Sequence, residues 1–218
     1  MLSKRWNEKD DEAIKIEDFS FEVFKELLTF IYSGECNLTN ENISAMIDIA
    51  DFYNVTVFKK NCIEFLVKSM DTENVYEILD LIYKHSMDNL KKSLHEFISN
   101  NLLSFLKSDY FQDLQKSTMK EIVETNRHSL RQEEIFEAVF KWAEKEALEK
   151  QEIDKSLNLI EVIKEELADI IPLINFNFMD AEFIVKYVVR KSFLFPDQQL
   201  CSILQSVNKL KLLMKMGN

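Results

Sequence analysis

FSFEVFKELLTFIYSGECNLTNENISAMIDIADFYNVTVFKKNCIEFL, residues 19–66, is the stretch from which the fold can be read. Its apolar residues recur at helical spacing: Phe24, Leu27, Leu28 and Ile31, then Ile43, Met46, Ile47 and Ala50, then Phe58, Cys62, Phe65 and Leu66. Such recurrence marks amphipathic helices, so three helices are predicted here. Gly34 falls where the first must stop in a left-handed residue, the usual place of glycine after a helix. Thr39 or Asn40 is the expected cap of the second helix, and Asn54 the break before the third.

Upstream, Ala13-Ile14-Lys15-Ile16-Glu17-Asp18 alternates apolar and polar as a short strand does. A lone strand needs neighbours, and only the residues around Cys36 to Leu38 offer one. Downstream, helical stripes continue. Asp71-Thr72 precede Val75, Ile78, Leu79 and Ile82; Asp88 precedes Leu90, Leu94, Phe97 and Ile98. Ser117 is the expected cap of a helix with Met119, Ile122 and Val123. The longest stripe is Ile135, Phe136, Val139, Phe140, Ala143 and Ala147, with Glu133, Glu137, Lys141 and Glu144 facing water. Ile160, Ile163, Leu167 and Ile170 form another that ends at Pro172. Asp180 then caps Phe183, Ile184, Tyr187 and Val188, and Pro196 opens a last helix through Leu200, Ile203, Leu204 and Val207.

Composition agrees with helices. The 218 residues include 17 Phe but only two Gly and two Pro, too few turn residues for a sheet-rich domain. A formal net charge of −11 repels phosphate backbones and anionic lipid, so neither nucleic acid nor membrane is an expected partner. No apolar run is long enough to span a bilayer, and MLSKRWNEKDDE lacks the apolar centre of a signal peptide. Three cysteines, an odd number without a CxxC, fit reduced thiols and a cytoplasmic or nuclear location.

The ordered set Ile31-Tyr32-Ser33-Gly34, Leu38, Glu41-Asn42, Ala50-Asp51 and Cys62-Ile63-Glu64-Phe65-Leu66 resembles the C-terminal half of a BTB (POZ) domain. In that family a helix ends in a Y-x-G turn, a short strand follows, and paired helices close with C-x-x-F-L. Glu134-Ile135-Phe136-Glu137-Ala138-Val139-Phe140-Lys141-Trp142 and Ile171-Pro172-Leu173-Ile174-Asn175-Phe176 resemble the BACK domain that follows BTB domains. Asn175 departs from the Arg, and Asn177 from the Pro, common in that turn. The expected fold is mainly α: the C-terminal part of an α/β BTB domain over residues 1–70, an all-helical BACK stack of helical hairpins over 71–195, and a C-terminal helix over 196–218. The resemblance places Met1 inside the BTB domain, so the strands and the dimerising helix of its first half are expected to be missing and the faces they cover laid bare.

BTB adaptors that recruit a cullin scaffold carry a hydrophobic-x-Glu motif just before the I-x-I-x-D strand. Trp6-Asn7-Glu8 sits at that register, ahead of Ile14-Lys15-Ile16-Glu17-Asp18. An aromatic anchor and a carboxylate make a sensible interface pair, the one filling a pocket and the other setting orientation. The resemblance adds Tyr53 to the cullin-binding residues, with Phe52 and Asn54 beside it. Against each stands a plainer reading, an acidic terminus with an incidental Trp and ordinary core aromatics. Trp142, spaced with Ile135 and Val139, reads as core.

Cys36, Cys62, His85 and His95 lack metal-ligand spacing, and His128 reads as a solvated helix start. Ser, Cys and His form no nucleophile pattern, and two glycines cannot build a phosphate loop, so neither catalysis nor a cofactor or metal is expected. The resemblance implies a non-catalytic adaptor that links a cullin-3 scaffold to a protein substrate for ubiquitination, with BTB homo- or heterodimers where the domain is whole. The alternative is a transcriptional or cytoskeletal BTB scaffold without a link to ubiquitin.

Overall fold

The computed structural model describes residues 16–205, which divide into two units at Leu90/Lys91. The first holds four helices, α1 (Phe21–Ser33), α2 (Ile43–Phe52), α3 (Thr56–Ser69) and α4 (Val75–Lys84). Leu27 and Phe30 of α1 meet Met46, Ile47 and Ala50 of α2 and Phe58, Cys62 and Leu66 of α3 in one core. The Phe30 and Phe58 rings lie 4.7 Å apart at its centre. Full burial of each Leu, Ile, Met or Phe side chain in this core stabilises the unit by about 1.5–3 kcal/mol relative to exposure.

Gly34 ends α1 as expected, at φ 78°, with its N–H donating to Phe30 O at 2.8 Å. Ser20 is the N-cap at the other end, accepting from Val23 N at 3.4 Å. The cap of α2 is Asn42 rather than Thr39 or Asn40. Thr39 N–H donates to Asn42 Oδ1 at 2.9 Å and Asn42 N–H to Thr39 Oγ1 at 3.3 Å. This reciprocal turn delays the helix start. The expected strands do not form among the described residues: 16–18 are irregular, as are 35–39, while Ala13 to Lys15 lie outside them. Among the described residues no strand is at hand to pair with either segment, and the 36–38 backbone is fixed by other means. Asn37 N–H donates to Glu26 Oε2 at 3.0 Å, and Asn42 Nδ2–H to Asn37 O at 2.8 Å.

Leu28 and Ile31, expected in the core, are exposed, as are Phe21 and Tyr32 on the same helix. The buried side of α1 is narrower than its apolar stripe. Leu27 and Phe30 fill the space over α2 and α3, so residues one position on turn outward. Phe21, Leu28 and Tyr32 stand at i, i+7 and i+11, a second apolar face on the same helix.

α5 (Asp88–Asn100) begins in the first unit and runs into the second, which continues with α6 (Leu102–Leu106), a 3-10 turn (Asp109–Asp113), α7 (Lys116–Thr125), α8 (Gln132–Ile153) and α9 (Leu159–Leu167). α7 starts at Lys116 with Gln115 at the cap, so Ser117 is already inside the helix. The whole α8 stripe from Ile135 to Ala147 is buried as predicted. In α9, Ile163 and Leu167 are buried, but Ile160 is exposed because it lies in the first turn, beyond the face that α8 covers. Asp180 caps α10 (Ala181–Phe183) by accepting from Glu182 N at 2.8 Å. The chain then passes through a π turn (Ile184–Val188) and a 3-10 segment (Val189–Leu194) kinked at Lys191. A last described helix covers 197–205, and Val207 lies outside the described residues.

Candidate protein-interaction site

Tyr53 follows the last turn of α2, where Asn54 takes φ 52°, a left-handed conformation Asn tolerates better than most residues. Val55 N–H then donates to Ala50 O at 2.8 Å, closing the helix. The bend points Tyr53 toward the start of α1. Its ring meets Phe19 at 6.2 Å, Phe24 at 5.9 Å and Phe52 at 5.0 Å, and Phe19 meets Phe52 edge-on at 5.3 Å. Phe19 and Phe24 occupy the N′ and N4 positions about the Ser20 cap, the places of a hydrophobic staple. Here both rings pack on Tyr53. The knot is half open: Phe19, Phe24 and Tyr53 are half-buried, whereas Phe52 is 60% exposed. Aromatics with one face on a rigid base and another in water are what protein interfaces favour.

On the next turns of α2 stand Asp48 and Asp51. His85, after the end of α4, is enclosed by them, with Nδ1 2.8 Å from Asp51 Oδ2 and Nε2 3.3 Å from Asp48 Oδ1. Lys59 Nζ donates to Asp51 at 2.6 Å, and Lys84 Nζ to Asp48 at 2.9 Å. Burial acts to raise the Asp51 carboxyl, but the hydrogen bonds from Lys59 and His85 outweigh it and hold the group below the usual carboxylate range. The cluster ties α4 to α2. No nucleophile belongs to it.

Of the residues the sequence singles out, Tyr53, Phe52 and Asn54 come together, while Trp6, Asn7 and Glu8 lie outside the described residues. Trp142 is core: it is fully buried, and its indole N–H donates to Leu114 O at 2.9 Å. Burial pushes the Cys62 thiol up to about 12 and, with help from Glu26, raises Cys36 as well, so neither is a ready thiolate. His95 Nε2 lies 3.1 Å from Glu121 Oε1, and His128 is exposed. Among the described residues no group of His, Cys, Asp and Glu could hold a metal ion, and no helix is long and apolar enough to cross a membrane. Sequence reasoning missed Phe19 and Phe24, although the staple spacing around Ser20 marks both. It also missed the pairing of His85 with Asp48 and Asp51, which no local spacing reveals.

A helical unit ending in the Gly34 turn and the α3 segment Cys62–Leu66, followed by a hairpin stack built on α8, defines the class. The family model of the BTB/POZ domain matches residues 1–70, and that of the BACK domain (BTB And C-terminal Kelch) matches residues 75–189. The chain belongs to the BTB–BACK family. It is similar to human Kelch-like protein 6, 28% identical over 143 residues, which are 65% of this chain and 23% of that protein. Kelch-like protein 40 of Xenopus tropicalis is 24% identical over 208 residues, 95% of this chain and 32% of that protein. Human gigaxonin is 27% identical over 138 residues, 62% of this chain and 23% of that protein. The chain thus spans about a quarter to a third of the length of these relatives.

Proposed function

We propose that this chain is a non-catalytic adaptor that holds a protein substrate on a cullin-3 scaffold for ubiquitination. The observation that carries this reading is the half-open aromatic knot around Tyr53, in a chain of the BTB–BACK family. The knot offers an anchor for a partner helix, with Phe52 outermost. Trp6 and Glu8 supply a second anchor and a carboxylate that sets register. The proposed division is BTB over 1–70, BACK over 71–195 and a final helix over 196–218, working in the cytoplasm or nucleus. The mechanism is positional: the adaptor raises the local concentration of substrate lysines near the ubiquitin donor and performs no bond chemistry itself. BTB homo- or heterodimers belong to this reading wherever the whole domain is present.

Purified full chain and the N-terminal domain of cullin-3, measured by biolayer interferometry, test it. Binding is expected, Tyr53→Ala should weaken it by about tenfold, and Trp6→Ala with Glu8→Ala should remove it, as interface anchors do. No binding, or binding indifferent to all three changes, sinks the cullin link and leaves a scaffold of another kind.

A further inference from the structure

His85 ends α4 with its ring between two aspartates of α2, and its side chain is only 8% exposed. Nδ1 lies 2.8 Å from Asp51 Oδ2, and Nε2 lies 3.3 Å from Asp48 Oδ1. A neutral imidazole carries one N–H, so its other nitrogen must turn a lone pair toward a carboxylate oxygen. The shorter contact assigns that single proton to Nδ1. Nε2 is then a buried acceptor, and among the described residues it has no hydrogen-bond partner. A second proton removes the mismatch, because an imidazolium donates at both nitrogens and bridges both carboxylates. The charged groups around the ring are Asp48 and Asp51 of α2, Lys59 of α3 and Lys84 of α4. Each lysine pairs with one of the aspartates, but both lysine side chains stay partly in water, which screens them more than the ring. Beside the ring stands a strained turn. Ser86 has φ 50°, a left-handed conformation unfavourable for serine. It is held between His85 and the buried Met87, whose N–H donates to Ile82 O at 2.9 Å. Across the bridge, Asp51 immediately precedes Phe52 and Tyr53 of the aromatic knot.

We infer that His85 is a proton-sensitive latch: its imidazolium bridges Asp48 and Asp51, clamps the end of α4 to α2 and steadies the knot, and loss of the Nε2 proton loosens the Ser86 turn. The sign follows from linkage. The clamp is complete in acid, where the imidazole holds both protons, and is lost as pH rises through the imidazole titration. It thus acts in the opposite sense to the carboxyl of Asp51, and over a higher range of pH. The latch rests on contacts within the first unit alone, so it stands whether or not cullin-3 is the partner of the knot.

NMR of the full chain, labelled with nitrogen-15 and titrated from pH 8 to pH 5.5, tests it. The ring nitrogens of His85 should show Nδ1 protonated throughout and Nε2 gaining its proton as pH falls. Over the same range the His85 and Met87 amides should become better protected from hydrogen exchange, by about three- to tenfold after correction for intrinsic rates. The amide signals of Phe52 and Tyr53 should shift with the same midpoint as the ring. His85→Gln keeps one donor but does not titrate, so its protection should stay level. Asp48→Asn takes the negative charge away from Nε2 and should flatten the rise even if the first variant folds poorly. Protection that is constant across the titration would overturn the latch, and so would an equal rise in both variants. Phe52 and Tyr53 signals that ignore the titration of the ring would overturn it as well. Failure of the cullin assay alongside this titration would remove the adaptor reading and leave the latch in place.

Discussion

Glu166 on α9 holds a buried carboxylate between two ammonium groups, Lys150 on α8 and Lys116 on α7, the latter at 3.3 Å. Burial acts to raise its pKa, but the hydrogen bonds and charges of the two lysines prevail and lower it. A carboxyl with a lowered folded pKa contributes stability above its unfolded value, about 4.3, and loses that contribution as pH falls through the folded value. Glu166→Gln should therefore cost about 1–2 kcal/mol at pH 7, less than a fully buried pair because both lysines remain partly solvated. The cost should shrink toward zero in acid. Urea unfolding of both proteins from pH 7 to pH 3 checks this, and a constant difference across that range would refute it. Asp51, held low by Lys59 and His85, adds an acid sensitivity of the same sign in the first unit.

At the scale of the elements, α1 carries two apolar faces, one buried and one exposed. Its C-terminal stop depends on Gly34, where an added Cβ would meet nothing within 4 Å. Any cost of Gly34→Ala is therefore conformational, about 1 kcal/mol for a left-handed residue, and Gly34→Asn should cost less. Chemical denaturation of the three proteins gives the order directly. The outward face, Phe21, Leu28, Ile31 and Tyr32, predicts binding of a hydrophobic dye and association at high concentration. Leu28→Gln with Tyr32→Ser should reduce both, with little change in the melting temperature because neither side chain is in the core. Undiminished dye binding would place the sticky surface elsewhere. This face is also why helical spacing overstated the core: periodicity marks apolar residues, and only neighbours decide which are covered.

At the scale of the whole molecule, the net charge of −11 predicts that the chain neither shifts duplex DNA in a gel nor pellets with phosphatidylserine vesicles at 0.15 M salt. A salt-sensitive gel shift would contradict that. Each unit has its own core, centred on Phe58 in the first and on Trp142 in the second. In the second unit a buried polar link joins distant turns. Gln132 Nε2–H donates to Asn126 O at 2.9 Å and Ser129 O at 3.0 Å, while Gln132 Oε1 accepts from Asn175 N at 2.8 Å. Asn175, which departs from the family's common Arg, joins this link through its backbone N–H, a group every residue but proline carries.

The sequence by itself determined the helices and their order, the Gly34 stop, the Asp180 cap, the buried face of α8 and the family. These follow from interactions within a few residues, where spacing and side-chain chemistry act directly. Helix starts at Asn42 and Gln115 were less legible, since several polar residues compete for one cap. Only the tertiary structure decided that Leu28 and Ile31 face outward, that Phe19, Phe24 and Tyr53 form one knot, and that His85 lies between Asp48 and Asp51. Each of these depends on residues far apart in the chain. Which face a neighbouring helix covers is set by the fit of whole surfaces, and no local pattern carries that information.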